Sequence, residues 1–345
     1  MKSIVLTGGG TAGHVTPHFA ILKYLEGFDS VNYLGSFGGM EENLVKSKNI
    51  PYYSVHAVKL IRPFTLKNLL IPFKFAKAVN EAKSLLKELK PAVVFSKGGY
   101  VALPVTVAAR ELKIPAVIHE SDLTLGLSNK IASRYAEKTL TSFRPTAETV
   151  KNGIFVGSPV REELFSVSRE ECLKKWGFSG KKPILLITGG SSGAKSLNEL
   201  FLKAAPEILK SYDVLHLTGK GNRTPLLDIS YRQSEFADMK YAYNAADICV
   251  SRAGSNTAFE LMSLKIPTLF IPLPKTSSRG DQIQNAEYFK NLGVCLYEKQ
   301  DEMTPAIFSE RINDLYFNRF ALKNNISKSD FTPANKKIAR ILNKY

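Results

Sequence analysis

Short, almost wholly apolar runs recur along the chain, each ending in a turn and followed by residues at helical spacing. The first covers residues 3–7, ahead of Gly8-Gly9-Gly10-Thr11-Ala12-Gly13-His14 and an amphipathic stretch over 15–25. Runs at 31–34, 52–55, 91–96, 116–119 and 154–156 continue the theme. The run at 91–96 enters a second glycine turn, Lys97-Gly98-Gly99-Tyr100, before helical spacing over 101–112. The run at 116–119 ends in Glu120-Ser121-Asp122, before helical spacing over 127–135. Apolar runs of this length predict strands buried on both faces, and their alternation with helices predicts a parallel sheet covered on both sides.

Gly157-Ser158-Pro159-Val160-Arg161 reads as a hinge, after which a charged helical stretch over 162–179 leads to a restart of the pattern. A strand at 184–188 enters a third glycine turn, Gly189 to Ala194, and a helix running to about 209. A strand at 214–217 follows, then one at or beside Phe236, then a short helix over 239–244. The clearest unit spans 245–272. It comprises a strand at 248–250, the turn Ser251-Arg252-Ala253-Gly254, a helix capped by Ser255 or Asn256 with Ala258, Leu261, Met262 and Leu264 on its apolar positions, and a strand at 267–271. Asp281 opens another helix, 294–297 is the last strand, and the chain is helical from 305 into a basic tail over 335–345. The expected fold class is α/β, with two doubly wound, Rossmann-like domains facing each other across a cleft. The expected boundaries are 1–158, 159–330, and a terminal helix 331–345 that packs back toward the first domain. A length of 345 residues agrees with two domains.

Composition sharpens the list of partners. The formal net charge of +16 favours nucleic acid, an acidic membrane surface or phosphorylated ligands. The three cysteines are far apart and lack metal-ligand or disulfide spacing, which points to a reducing cytosol. The opening MKSIVLTGGG reads as a strand entering a turn rather than a secretory leader, and no apolar run is long enough to span a membrane. Residues 59–79 break the alternation: five basic side chains (Lys59, Arg62, Lys67, Lys74, Lys77) and no acidic one lie among Leu, Ile and Phe. This mixture suits a membrane interface with anionic headgroups, or a core helix with a solvated basic face.

The turns carry the candidate chemistry. Gly8, Gly10 and Gly13 match the dinucleotide-binding spacing G-x-G-x-x-G, which also wants an acid at the end of the second strand. Here that strand ends in Gly35-Ser36, which weighs against a nicotinamide oxidoreductase. The turn before Ser255 offers backbone N–H groups and a positive helix end to a phosphate, and Glu260, roughly one and a half turns in, can take both hydroxyls of a ribose. Ser191 with the amides of 190–193 suits a diphosphate, and Arg161 suits a phosphate or an ion pair. No metal-ligand spacing stands out, and no metal and no cofactor are expected.

In order along the chain, GGGTAGHVTP, SKGGYVALP, IHESDLTLGLSNK, GSPVR, TGGSSGAKSLNE, SRAGSNTAFEL and DQIQNAEY resemble the MurG family of bacterial UDP-N-acetylglucosamine transferases, in glycosyltransferase family 28. The resemblance reaches to about Leu296 and implies a GT-B fold. It implies inverting transfer of N-acetylglucosamine from its UDP ester to the 4-hydroxyl of the muramoyl sugar on undecaprenyl diphosphate (lipid I), giving lipid II in peptidoglycan synthesis. It places such an enzyme peripherally on the cytoplasmic face of the cell membrane, with an anionic membrane surface as partner and no nucleic acid. It makes His14 the leading base, with Asp122 and Glu120 as rivals; Asp122 stands where the family often has Asn. Thr11, Ala12 and Gly13 shape the same loop, and Tyr100 and Asn129 contact the acceptor or sugar. On the donor side the resemblance engages Arg161, Ser191, Ser255, Asn256, Thr257 and Glu260, with uracil near Phe236 and Ala237. Gln282 and Asn285 resemble the family's sugar-reading amides, and Asp281 stands where a second Gln is common. The rivals are another GT-B transferase with a different lipid acceptor, a nicotinamide enzyme, and a non-catalytic paralogue.

Overall fold

The computed structural model describes residues 2–57, 70–189, 194–276 and 279–345. The chain divides into two compact units, Met1–Val160 with Pro333–Tyr345, and Arg161–Thr332. Among the described residues the first unit holds seven strands: Ser3–Thr7 (β1), Ser30–Ser36 (β2), Tyr52–Val55 (β3), Pro91–Ser96 (β4), Ala116–Glu120 (β5), Lys138–Thr141 (β6) and Gly153–Phe155 (β7). They form one sheet in the order β3-β2-β1-β4-β5-β6-β7, and every pairing is parallel. The second unit holds Ile184–Thr188 (β8), Asp213–Leu217 (β9), Tyr231–Ser234 (β10), Ile248–Ser251 (β11), Thr268–Phe270 (β12) and Leu296–Tyr297 (β13). Their order, β10-β9-β8-β11-β12-β13, repeats the first sheet's plan, again all parallel. Each sheet therefore reverses direction of growth once, between β1 and β4 and between β8 and β11. In doubly wound sheets ligands bind beyond the carboxyl ends of the strands at that reversal.

Of the two central strands of each sheet, β1, β8 and β11 are buried along their whole length and β4 at all but Ala92, as the apolar runs predict. β6 lies where no strand is expected, and β10 ends two residues before Phe236, beside which one is expected. β6 reads Lys-Thr-Leu-Thr and β10 reads Tyr-Arg-Gln-Ser. Threonine's branched side chain suits a pleated surface although it is not apolar, and β10 sits at a sheet edge with a half-exposed face. The expected helix over 162–179 is broken in two. A 3-10 turn, Glu162–Phe165, is followed by helix Arg169–Trp176, whose start is set by a reciprocal capping box between Ser168 and Glu171. Of the basic-apolar stretch 59–79, residues 59–69 lie outside the described residues. The rest enters helix Ile71–Leu89, which buries Ala78, Val79, Ala82 and Leu86 and leaves Phe73 77% exposed beside exposed Lys74 and Lys77.

The last helix, Asn335–Leu342, belongs to the first unit. Ala334, Ile338 and Leu342 join the cluster of Ile4, Leu6, Val93, Phe95 and Val117. Asn335 pairs with the Val160 backbone like a strand neighbour, accepting from its N–H (3.0 Å) and donating to its carbonyl (2.8 Å). Since Leu342 is fully buried, Leu342→Ala is expected to cost about 2–4 kcal/mol of stability, read as a lower urea midpoint for the first unit.

Candidate active site

β1 ends at Thr7, and the backbone turns through Gly8, Gly9 and Gly10, with φ at +86° for Gly10. The turn after β4 lies against it. Gly98 and Gly99 have φ of +89° and +90°, and a Cβ on Gly99 would strike the Gly9 carbonyl oxygen. A Cβ on Gly10 would lie 2.7 Å from the Tyr100 ring. Glycine is thus required here both by positive φ and by the approach of one backbone to another. Thr11 precedes a single 3-10 turn, Ala12–His14, which leads into helix Thr16–Ile21 rather than the longer helix expected over 15–25. The Nδ1 atom of His14 is 3.0 Å from the Gly9 carbonyl oxygen and 3.2 Å from Thr11 Oγ1. A carbonyl oxygen can only accept, so this contact places the ring hydrogen on Nδ1 and the lone pair of the neutral ring on Nε2.

Glu120 ends β5 and is buried. Its Oε1 accepts from the amides of Ser121 (2.9 Å) and Asp122 (3.1 Å), and its Oε2 from the amide of Gly126 and the side chain of Asn129, both at 3.0 Å. Burial, then the Asp122 charge, raise its pKa above the usual carboxylate range, against the pull of these donors. Four donors thus converge on Glu120, three of them backbone amides of the loop that carries Asp122. Asn129 is buried, and among the described residues its Oδ1 has no hydrogen-bond partner. Tyr100 meets Ser36 Oγ at 3.3 Å.

Beneath this loop lies a group that motif reading missed. Lys97 is fully buried, with Nζ 2.6 Å from His119 Nδ1 and donating to Ser121 Oγ at 2.8 Å; His119 Nε2 meets the Gly157 carbonyl at 3.0 Å. Desolvation lowers the Lys97 pKa from 10.5 to about 7, against the fields of Glu120 and Asp122, and holds His119 well below its ordinary value. A second missed group is Glu41, which is also fully buried and lies at the start of helix Glu41–Lys46. It accepts from the Ser36 amide (2.8 Å), the Ser36 hydroxyl, and the Gly10 amide (3.4 Å). The acid absent from the end of β2 is therefore supplied five residues later, but turned inward onto the glycine loop. The only sequence signal is a carboxylate opening a helix just after Gly38-Gly39.

In the second unit, Ser191 and the amides of 190–193 lie outside the described residues. Arg161, expected at a phosphate or in an ion pair, donates through Nε to Glu260 Oε1 at 2.9 Å, and the Tyr243 hydroxyl donates to Oε2 at 3.2 Å. The two bonds occupy about half of the carboxylate's lone-pair positions, which leaves capacity for ribose hydroxyls. Helix Ser255–Ser263 carries Glu260 and is not capped by Ser255 or Asn256 as expected. Gly254 takes the cap position without a side-chain bond, because Ser255 is already inside the first turn. That turn, with Asn256 and Thr257, thus presents backbone N–H groups and a positive helix end to which the cap residue itself brings no side chain. Ala237 follows β10 beside Phe236, which is 60% exposed. The two amides expected to read sugar also bond backbone. Buried Asn285 donates to the Ala253 carbonyl at 3.2 Å, and Gln282 accepts from the Leu273 amide at 3.1 Å. Arg252, also missed, ties the same turn to the carbonyls of Ile271 and Pro272, to Ser196 and to Gln300. Among the described residues, no three His, Cys, Asp or Glu side chains are grouped to hold a metal ion.

Two doubly wound units with a glycine turn and a helix start at each sheet reversal define the class of two-domain, nucleotide-sugar glycosyltransferases, and comparisons with known proteins narrow it. Residues 4–141 match the glycosyltransferase family 28 N-terminal domain, and residues 184–343 match the family 28 C-terminal domain. The chain is 41% identical to the UDP-N-acetylglucosamine--N-acetylmuramyl-(pentapeptide) pyrophosphoryl-undecaprenol N-acetylglucosamine transferase of Clostridium tetani, covering 100% of this chain and 98% of that protein. It is 43% identical to an enzyme of the same name, numbered 2, from Bacillus thuringiensis subsp. konkukian, over 95% of each. The crystal structure of Acinetobacter baumannii MurG superposes with a TM-score of 0.77 at 29% identity, over 100% of both chains. The chain belongs to glycosyltransferase family 28.

Lys97 has a lower pKa folded than unfolded, so in this interval the unfolded chain binds more protons and stability rises with pH. Between about pH 7 and its ordinary value of 10.5, the protein is expected to gain stability relative to Lys97→Met, read as urea midpoints at successive pH values.

Proposed function

We infer that the protein transfers N-acetylglucosamine from UDP-N-acetylglucosamine to the 4-hydroxyl of the muramoyl sugar of lipid I, with inversion, giving lipid II in peptidoglycan synthesis. The observation that carries this reading is the 41% identity over the whole chain to enzymes named for that transfer. The geometry of His14 supports it independently: its Nδ1 hydrogen is held by Gly9, so Nε2 carries the lone pair that a general base needs.

In the proposed step, the acceptor oxygen attacks the anomeric carbon on the face opposite the diphosphate. Its proton passes to His14 Nε2, and the bond from the anomeric carbon to the UDP oxygen breaks. UDP leaves with its charge met by the helix start at Ser255, Asn256 and Thr257 and by Ser191. Glu260 holds the ribose, and Arg161, already paired with it, adds positive charge nearby. The uracil lies by Ala237 and Phe236. Gln282 and Asn285 shape the sugar pocket through the backbone they brace. On the acceptor side, Thr11, Ala12 and Gly13 allow close approach. Tyr100, Asn129 and Asp122 contact the sugar, and Glu120 sets the Asp122 loop.

The acceptor is a polyprenyl lipid, so the enzyme must reach a bilayer. Among the described residues no helix is long and apolar enough to cross one. The net charge of +16 and the exposed Leu70, Phe73, Lys74 and Lys77 support peripheral docking of the first unit on the anionic cytoplasmic face.

Transfer of radiolabelled N-acetylglucosamine to a short-chain lipid I analogue tests the reading. The chain is expected to transfer in the presence of EDTA, and His14→Ala to lose about a hundredfold or more in kcat; UDP-N-acetylglucosamine binding without transfer to this acceptor would overturn the acceptor assignment. Replacing Lys67, Lys74 and Lys77 with Ala is expected to weaken binding to anionic vesicles at low salt in a sedimentation assay.

A further inference from the structure

The amide hydrogen that Glu41 accepts and the carbonyl oxygen that His14 meets belong to one peptide group. Glu41 Oε2 accepts from the Gly10 N–H at 3.4 Å, and the Gly9 carbonyl of that same peptide accepts from His14 Nδ1 at 3.0 Å. The carboxylate and the imidazole therefore sit at opposite ends of a single amide. An anion on the N–H side draws charge toward the carbonyl oxygen and makes it a better acceptor, since hydrogen bonds in series polarise one another.

The surroundings hold this peptide in place. Glu41 is fully buried and anchored by the amide and hydroxyl of Ser36. A Cβ on Gly9 would lie 2.5 Å from Glu41 Oε1, and one on Gly99 would strike the Gly9 carbonyl. Tyr100 covers Gly10 and reaches Ser36 Oγ at 3.3 Å, while the Tyr52 hydroxyl donates to the Ser36 carbonyl at 2.7 Å. The peptide is thus enclosed by the carboxylate, the second glycine turn, an aromatic ring and the imidazole.

We propose that Glu41 is a positioning residue for His14, acting through the peptide between Gly9 and Gly10. It locks the ring in the Nδ1–H tautomer and strengthens Nε2 as a proton acceptor, the part a carboxylate plays directly in a catalytic triad. The proposal rests on the reading of His14 as the base. It also accounts for the buried acid near this glycine turn: Glu41 occupies an N–H that in a dinucleotide-binding loop would face a phosphate. The other titratable groups around the turn are His18, Tyr33, Tyr52, Tyr100 and Lys97. Burial depresses His18 to about 3, so it stays neutral across the working range, and burial raises both Tyr33 and Tyr52.

The test reads the His14 ring in the resting protein by 15N NMR, with its signals assigned by their loss in His14→Ala. In the wild type the neutral ring is expected as the Nδ1–H tautomer; an Nε2–H tautomer overturns the proposal whether or not any Glu41 variant folds. In Glu41→Gln, with the wild-type circular dichroism spectrum and an unchanged KM for UDP-N-acetylglucosamine, His14 is expected to titrate at lower pH. The same variant is expected to lose about tenfold or more in kcat, with Glu41→Asp intermediate. An unchanged His14 titration in folded Glu41→Gln overturns the proposal, even if His14→Ala abolishes transfer. Conversely, a His14→Ala enzyme that still transfers sugar overturns the base assignment, while the shifted titration would still establish the link through the peptide.

Discussion

The approach of one backbone turn to another, Gly99 onto Gly9, governs the geometry of the first unit. Main chain can come this close only where no side chain intervenes, and the positive φ at Gly10, Gly98 and Gly99 reinforces the demand. Because β1 and β4 are neighbours at the sheet reversal, their two turns meet. The contact leaves the Gly9 carbonyl directed at His14 and the Gly10 amide at Glu41. The imidazole is held by backbone, and the backbone is held by a buried acid.

Both units use one plan, but with different electrostatics. In the first, buried charge lies beneath the loops: Glu41 under the first turn, and Lys97 with Glu120 under the loop after β5. Most of these groups have their hydrogen-bonding capacity met by backbone and neighbouring side chains, so the cost of burying them is offset locally while the loops gain a single arrangement. In the second, buried Arg252 and Asn285 tie the turn after β11 to its surroundings from behind, and the cap residue of the helix start in front, Gly254, brings no side chain. Rigid backing behind a positive helix end suits an anionic ligand that must bind and then leave.

Residue patterns made much of this legible. Central strands, buried on both faces, must be apolar throughout, so the runs at β1, β4, β8 and β11 stand out, as do the glycines that follow them. The order of motifs was enough to suggest the family that the comparisons establish. β6 was not legible and β10 only as a strand at or beside Phe236, because a threonine-rich strand and a polar edge strand do not show the apolar signal.

What the sequence determined by itself was the alternation of elements, the position of the turns and the residue types at their tips, because these follow from local period and from glycine's freedom. Tertiary structure alone decided the partners. Nothing local says that Glu41 reaches the Gly10 amide thirty-one residues away, that Arg161 pairs with Glu260 across ninety-nine, or that Asn285 faces Ala253 rather than solvent. Those contacts depend on which strands become neighbours, and strand order is set by the packing of whole sheets rather than by any one segment.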